Sequence, residues 1–270
     1  MIEVSEAAAG IVANNVTKVF RDISRGEEIT ALRDFSLTIN PKEFIAIVGP
    51  SGCGKSTFLN IVAGFEAATA GEVTLNGRAI TMPGPDRGIV FQDFALFPWL
   101  TVRKNVEFGL RYRRLPRRER KRIAEDLLRL VHLQHFEDRF PRELSGGMKQ
   151  RVALARVLAT APEILLMDEP FGSLDALTRH AMQGQLLEVW RTRRTTVLLV
   201  THSVDEAIFL ADRIVAVSAR PGRILEVLAV TEERPRNLAS DSSNRLRGTL
   251  MELLEKEVGK AVRQAERRFD

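Results

Sequence analysis

A single cysteine, Cys53, stands in 270 residues. The chain therefore has no intrachain disulfide, and its cysteine usage fits a reducing compartment. Nowhere does an apolar run approach the roughly 20 residues that a membrane-spanning helix needs. The opening stretch MIEVSEAAAG carries neither a basic leading segment nor a long apolar core, so no signal peptide is expected. Internal repeats, low-complexity linkers and the Asn-Lys-x-Asp motif that reads guanine are also missing. What is present is 44% hydrophobic and 28% charged. That suffices for a real core and gives no reason to call the chain disordered or fibrous. The net charge of +5 leaves nucleic acid, anionic lipid and acidic substrates open as partners.

Short β-rich runs alternate with helical stretches, the pattern of an α/β protein. Buried strands are expected at Glu43–Gly49, Glu163–Pro170, Thr195–His202 and Arg213–Ser218, with a strand and turn at Gly71–Gly77 and a helix over Lys55–Gly64. Between about Phe94 and Pro162 the strand signal vanishes. There Ile123, Leu127, Leu128, Leu130 and Val131 recur at helical spacing. The expected organisation is one domain: an α/β core from 11–93 and 163–235, an inserted helical lobe at 94–162, and a C-terminal helix at 236–270. In that last helix Leu246, Leu250, Leu253, Leu254 and Val258 share one side.

Two stretches carry phosphate chemistry. GPSGCGKST, from Gly49 to Thr57, matches the P-loop pattern Gly-x-x-x-x-Gly-Lys-Ser/Thr and sits between an expected strand and helix. Its residues Gly49, Pro50, Ser51, Gly52, Cys53, Gly54, Lys55, Ser56 and Thr57 curl the backbone so that N–H groups converge on a phosphate. Lys55 adds a charge between the β- and γ-phosphates, and the Ser56 hydroxyl suits Mg²⁺. Cys53 reads as a small residue filling a variable slot. Downstream, ILLMDEP ends an apolar strand in two acids. Asp168 stands where a Mg²⁺-holding carboxylate belongs, while Glu169, next along, points elsewhere and can polarise a water. A second helix start with phosphate-seeking composition follows the first by about ninety residues, in LSGGMKQRVALARVLA from Leu144 to Ala159.

With LSGGMKQR added, the chain resembles the nucleotide-binding subunit of an ABC transporter, from about Ile11 to Pro221. The resemblance implies an α/β P-loop NTPase core of the RecA-like type with an inserted helical subdomain, the ABC ATPase fold, and hydrolysis of ATP with Mg²⁺. It implies that Phe20 stacks on adenine and that Gln92 in VFQD touches the metal or the water. Asp168 and Glu169 become the metal-holding acid and the catalytic base. His202, ending TTVLLVTH, orients the base or water at the γ-phosphate. SLD, Ser173 to Asp175, becomes the family's D-loop, with Asp175 among the nucleotide-binding residues. Ser145, Gly146 and Gly147 then face the γ-phosphate held by the P-loop of a second copy, with a helix from about Met148 aimed at it, so that two chains sandwich two ATP molecules. Met148 departs from the glutamine common in the family, outside the phosphate-facing part. His132, His135 and His180 have no such context and are read as surface or core residues.

Among ABC proteins, the short separation of the two motifs disfavours the DNA-repair type, and a single module disfavours the two-module translation type. Only about 50 residues follow Arg220, and they read mainly as helix rather than as the extra β-domain of sugar-type importers. A subunit docking on separate integral membrane permease subunits is expected, peripheral at the cytoplasmic face of the inner membrane and linked indirectly to a substrate-binding protein. Apolar Phe94, Leu96, Phe97, Trp99 and Leu100 would offer the partner a docking groove. Pro98–Trp99 and the SGGM signature are most similar to the nitrate/sulfonate/taurine importer subfamily. Uptake of a small anion is expected; the alternative is a lipid-trafficking or non-transport ABC ATPase. The run RYRRLPRRERKR, Arg111 to Arg122, reads as a solvated helix face, with contact to lipid headgroups or a partner as the alternative ahead of a nucleic-acid site.

Overall fold

The computed structural model describes residues 10–22 and 26–266. Residues 1–9 and 267–270, expected to open the domain and to finish the C-terminal helix, lie outside them. The chain sorts into two compact units, one running to Pro83 and resuming at Thr196, the other spanning Gly84–Thr195.

The first unit holds an antiparallel sheet in which β1 (Ile11–Asp22) lies between β2 (Glu27–Ile39) and β4 (Ala70–Leu75), with the two-residue β5 (Arg78–Ala79) beyond β4. Along the end of β2, Phe35, Leu37 and Ile39 are buried and alternate with exposed residues, so one face of this sheet is covered. The same unit contains β3 (Phe44–Val48), flanked in parallel by β8 (Thr196–Thr201) and β9 (Arg213–Val217). All five residues of β3 are buried, as a parallel strand covered on both faces requires. Helix α1 (Lys55–Ala63) leaves β3 through the P-loop, and its Phe58 packs against Phe35 with ring centroids 4.5 Å apart. Two further helices complete the unit, α6 (Val204–Leu210) and α7 (Asp241–Glu266).

Beyond Arg220 the chain is less helical than its sequence suggests. Strand β10 (Ile224–Ala229) pairs antiparallel with β9, and α7 begins only at Asp241. The apolar side expected for α7 is also revised. Leu250 is fully buried, but Leu246, Leu253 and Leu254 are half-buried and Val258 is exposed. The buried stripe runs through Ser243, Leu250 and Glu257, at heptad spacing. Glu257 belongs there because its carboxylate accepts the N–H of Ala219 at 3.3 Å, which satisfies a charge that burial would otherwise penalise.

The second unit pairs β6 (Arg87–Val90) in parallel with β7 (Ile164–Asp168) and carries α2 (Val102–Leu110), α3 (Arg117–Leu130), α4 (Gly146–Ala159) and α5 (Ala176–Arg193). No strand occurs between residues 94 and 162, as the loss of period-two alternation predicts. On α3, Ala124, Leu127 and Leu128, with Val131 just beyond, form the buried stripe. Its arginines line the other side, which explains how so charged a segment stays helical.

Candidate active site

The P-loop folds as its pattern predicts. Gly54 caps α1 with φ +99°, and a Cβ there would meet the Ala31 carbonyl at 2.7 Å, so glycine is required by conformation and by space. Lys55 is buried, and its ammonium donates to the carbonyl oxygens of Gly49 at 2.8 Å and Pro50 at 2.9 Å. The charge is thus desolvated yet satisfied, and it ties both ends of the loop together. The Cys53 thiol lies inside the loop, 3.7 Å from the Lys55 nitrogen, and burial pushes its pKa up. A thiol held protonated and enclosed fits a packing role. Ser51, Gly52 and Ser56 are exposed and Thr57 half-buried on the loop and the first turn of α1.

Two residues that sequence reasoning missed complete this cradle. Arg220, in the turn between β9 and β10, donates through Nε to the Gly52 carbonyl at 3.2 Å. At Gly222 a Cβ would overlap the Cys53 carbonyl oxygen, while the Gly222 backbone N–H donates to Ala31 and its carbonyl accepts from Arg33. The available signal was the turn composition of ARPGR, which has no phosphate motif of its own.

In the same unit Phe20 stands on β1, 38% exposed, with the Lys18 ammonium 4.8 Å from its ring centroid. That nitrogen is held by Glu66 at 2.8 Å and the Ala67 carbonyl at 2.9 Å, leaving Phe20 an aromatic surface residue rather than a core one. His202 is exposed just after β8. Its neighbours fix its backbone: buried Thr201 donates to the Glu206 carboxylate at 2.6 Å, and the Ser203 hydroxyl caps α6 by accepting from the Glu206 N–H.

In the second unit Gln92 and Glu169 both border Gly172: a Cβ there would lie 3.7 Å from the Gln92 amide nitrogen and 3.8 Å from a Glu169 carboxylate oxygen. Asp168 closes β7, and Glu169 turns off it with φ +44°, so the two acids diverge through a backbone turn as well as through strand alternation. The loop after Gln92 passes through two left-handed residues, Phe94 and Ala95. Arg156 of α4 holds both, donating to the Phe94 carbonyl at 3.0 Å and the Ala95 carbonyl at 2.6 Å. Burial lowers its pKa. This link from the Gln92 loop to the signature helix has no sequence motif.

Helix α4 starts at Gly146, earlier than Met148. Ser145 is its N-cap, accepting the Met148 N–H at 3.3 Å, so its hydroxyl hydrogen stays available to a ligand. Ser145 and Gly146 are exposed, whereas Gly147 is buried against α5, where a Cβ would meet Thr178 at 2.7 Å. Asp175 caps α5 by accepting the Thr178 N–H at 3.0 Å, and that bond lowers its pKa. Of the apolar cluster after Gln92, Trp99 is 71% exposed, while Phe97 is half-buried between Trp99 and Phe108 at centroid distances of 5.6 and 4.5 Å. Fully buried Asn105 organises this bend, exchanging hydrogen bonds with Phe97 and donating to the Leu100 and Thr101 carbonyls.

The order of these motifs agrees with a family-wide comparison: the model described as ABC transporter matches residues 32–172, more than half of the chain. The chain belongs to the ABC transporter family. As an ABC ATPase it is similar to the taurine import ATP-binding protein TauB of Roseobacter denitrificans, 49% identical with 80% of each chain covered. It is also similar to the aliphatic sulfonates import ATP-binding protein SsuB of Bacillus subtilis, 43% identical over 87% of this chain and 91% of that one. Among solved structures, the ATP-binding cassette MJ0796, a dimer in a post-hydrolysis state bound to ADP and Pi, superposes with a TM-score of 0.72 at 34% identity, covering 83% of this chain and all of that one. The ABC ATPase is thus an α/β P-loop NTPase, and its chemistry is ATP hydrolysis in the service of transport.

Proposed function

We propose that this ABC ATPase powers import of a small anion of the sulfonate, taurine or nitrate type through separate permease subunits, while peripheral at the cytoplasmic face of the membrane. No described helix is long and apolar enough to cross a membrane. The placement of Gln92 and Glu169 beside Gly172 carries the reading of the catalytic residues. An amide can orient a water and a carboxylate can take up its proton.

In this mechanism Lys55 and the P-loop N–H groups hold the β- and γ-phosphates, and Phe20 stacks on the adenine. The oxygen donors of Ser56 and Asp168, with the Gln92 amide, suit a hard cation; Mg²⁺ held there would neutralise phosphate charge. Glu169 polarises water, whose oxygen bonds to the γ-phosphorus as the bond to the bridging oxygen breaks, giving ADP and phosphate. His202 orients that water. Ser145 and the N–H groups of Gly146 and Gly147 meet the γ-phosphate bound by a second copy, and Asp175 stands at that junction. The exposure of Ser145 and Gly146 supports this assignment, as does the dimeric form of MJ0796. Trp99, Phe97 and Phe108 offer the permease an aromatic face.

Glu169→Gln tests the reading. The variant should bind ATP, accumulate as an ATP-bound dimer by light scattering, and lose turnover by roughly a hundredfold or more. Wild-type hydrolysis by this variant would overturn the assignment of the base. Reconstitution with permease and binding protein, assayed with taurine, aliphatic sulfonates and nitrate, tests the substrate class.

A further inference from the structure

The basic run from Arg111 to Arg122 has no part in the roles above. In the second unit it forms one side of a cavity of about 200 Å³, lined by Leu100, Lys104, Glu107, Arg111, Arg117 and Arg120. The lining thus holds four cationic residues and one acid, Glu107, whose carboxylate lies 3.9 Å from a further cation, Arg103. Among the described residues none of the four lining cations forms an ion pair. Arg111 is steered by the Phe108 ring, 5.2 Å from its guanidinium, and Arg120 donates to the Leu115 carbonyl at 3.1 Å. Both partners are neutral, so they orient the guanidinium groups without discharging them. Arg117 opens α3, whose N-terminus has no side-chain cap and adds its own positive end. An anion bound among these like charges would be held by several of them at once. The cavity is smaller than the 300–1,000 Å³ typical of clefts for drug-sized ligands and suits one compact oxyanion. Arginine forks favour tetrahedral phosphoryl oxygens.

We propose that this pocket between α2 and α3 binds a single phosphoryl group, the chemistry shared by an anionic phospholipid headgroup and free phosphate. The assignment stands apart from the importer reading, because it rests on charge and cavity size alone.

The full chain, with its P-loop saturated by ADP and Mg²⁺, is incubated with inorganic phosphate, with phosphatidylcholine vesicles, or with vesicles also containing phosphatidylglycerol. Hydrogen exchange across residues 100–120 and vesicle flotation are then measured. Phosphate or phosphatidylglycerol should slow exchange in this segment, and Lys104→Gln/Arg117→Gln should weaken the response roughly tenfold while ATPase activity stays at the wild-type level. A response to the anionic vesicles alone identifies the headgroup as the source. A response to phosphate that vesicles do not enhance identifies the soluble anion. If the double variant unfolds, Arg117→Gln alone, at an exposed position, replaces it. No slowing by either probe, or an undiminished response in the folded variant, overturns the proposal.

Discussion

The chain contains two helix starts suited to phosphate, and they are built in opposite ways. The P-loop before α1 is braced from behind: its lysine is buried, Gly54 is wedged against Ala31, and Arg220 and Gly222 hold it from the β9–β10 turn, while Ser51, Gly52 and Ser56 stay exposed. The start of α4 has no such brace on Ser145 and Gly146, which are exposed, and only Gly147 is packed. A braced loop can hold a ligand with its own chain's atoms. An open helix start closed by its own N-cap offers its remaining donors to something outside. The difference explains why one protein carries both, and it agrees with a nucleotide shared between two copies.

The most damaging way to break this contrast is at the brace. Gly222→Val should force the Cys53 carbonyl out of place, abolish ATP binding in equilibrium dialysis and lower the melting temperature. Next, Gly146→Asp puts a carboxylate on the open helix start. ATP binding by the monomer should remain, while ATP-driven dimerisation in the Glu169→Gln background should fall at least tenfold by light scattering. The same substitution would leave dimerisation intact if α4 served only its own fold.

A smaller effect is expected at Arg156, which joins the open helix to the Gln92 loop. Arg156→Gln should cost about 1–3 kcal/mol in denaturant unfolding, since it strips charge-assisted bonds from the part-buried Phe94 carbonyl and the exposed Ala95 carbonyl. It should also speed hydrogen exchange at residues 93–97. The smallest effect concerns the Asp175 cap. Its carboxyl is held below the usual range by the Thr178 N–H, so its contribution is complete above the ordinary carboxylate pKa and fades as pH falls through the depressed folded value. Exchange protection at the first turn of α5 should therefore be flat from neutral pH down to the ordinary carboxylate range and decline only below it. Asp175→Asn, which still accepts a bond but carries no charge, should remove that acid dependence.

Much of this was legible in the linear pattern. The buried strands β3, β7, β8 and β9 are continuous apolar runs, α1 is bracketed by Gly54 and Gly64, and each chemical group lies at the end of one of these elements. Strands β2 and β10 were less legible. In β10 the burial alternates weakly, because it is an edge strand with only one neighbour, β9. On α7 five apolar residues share a side, yet only Leu250 of them is fully buried, in line with Ser243 and Glu257, because the face that packs is set by the neighbouring elements and not by the helix's own composition.

Local composition alone determined that the chain is an α/β nucleotide-binding protein, because phosphate cradles demand glycine, lysine and hydroxyl residues in a short fixed order. Tertiary structure decided the rest. Arg220 and Gly222 reach the P-loop, Arg156 reaches the Gln92 loop, and Gln92 borders Gly172 beside Glu169's own turn, all across long stretches of chain. These contacts are made by single side chains and backbone carbonyls whose partners are set by packing, and packing leaves no periodic trace in a sequence.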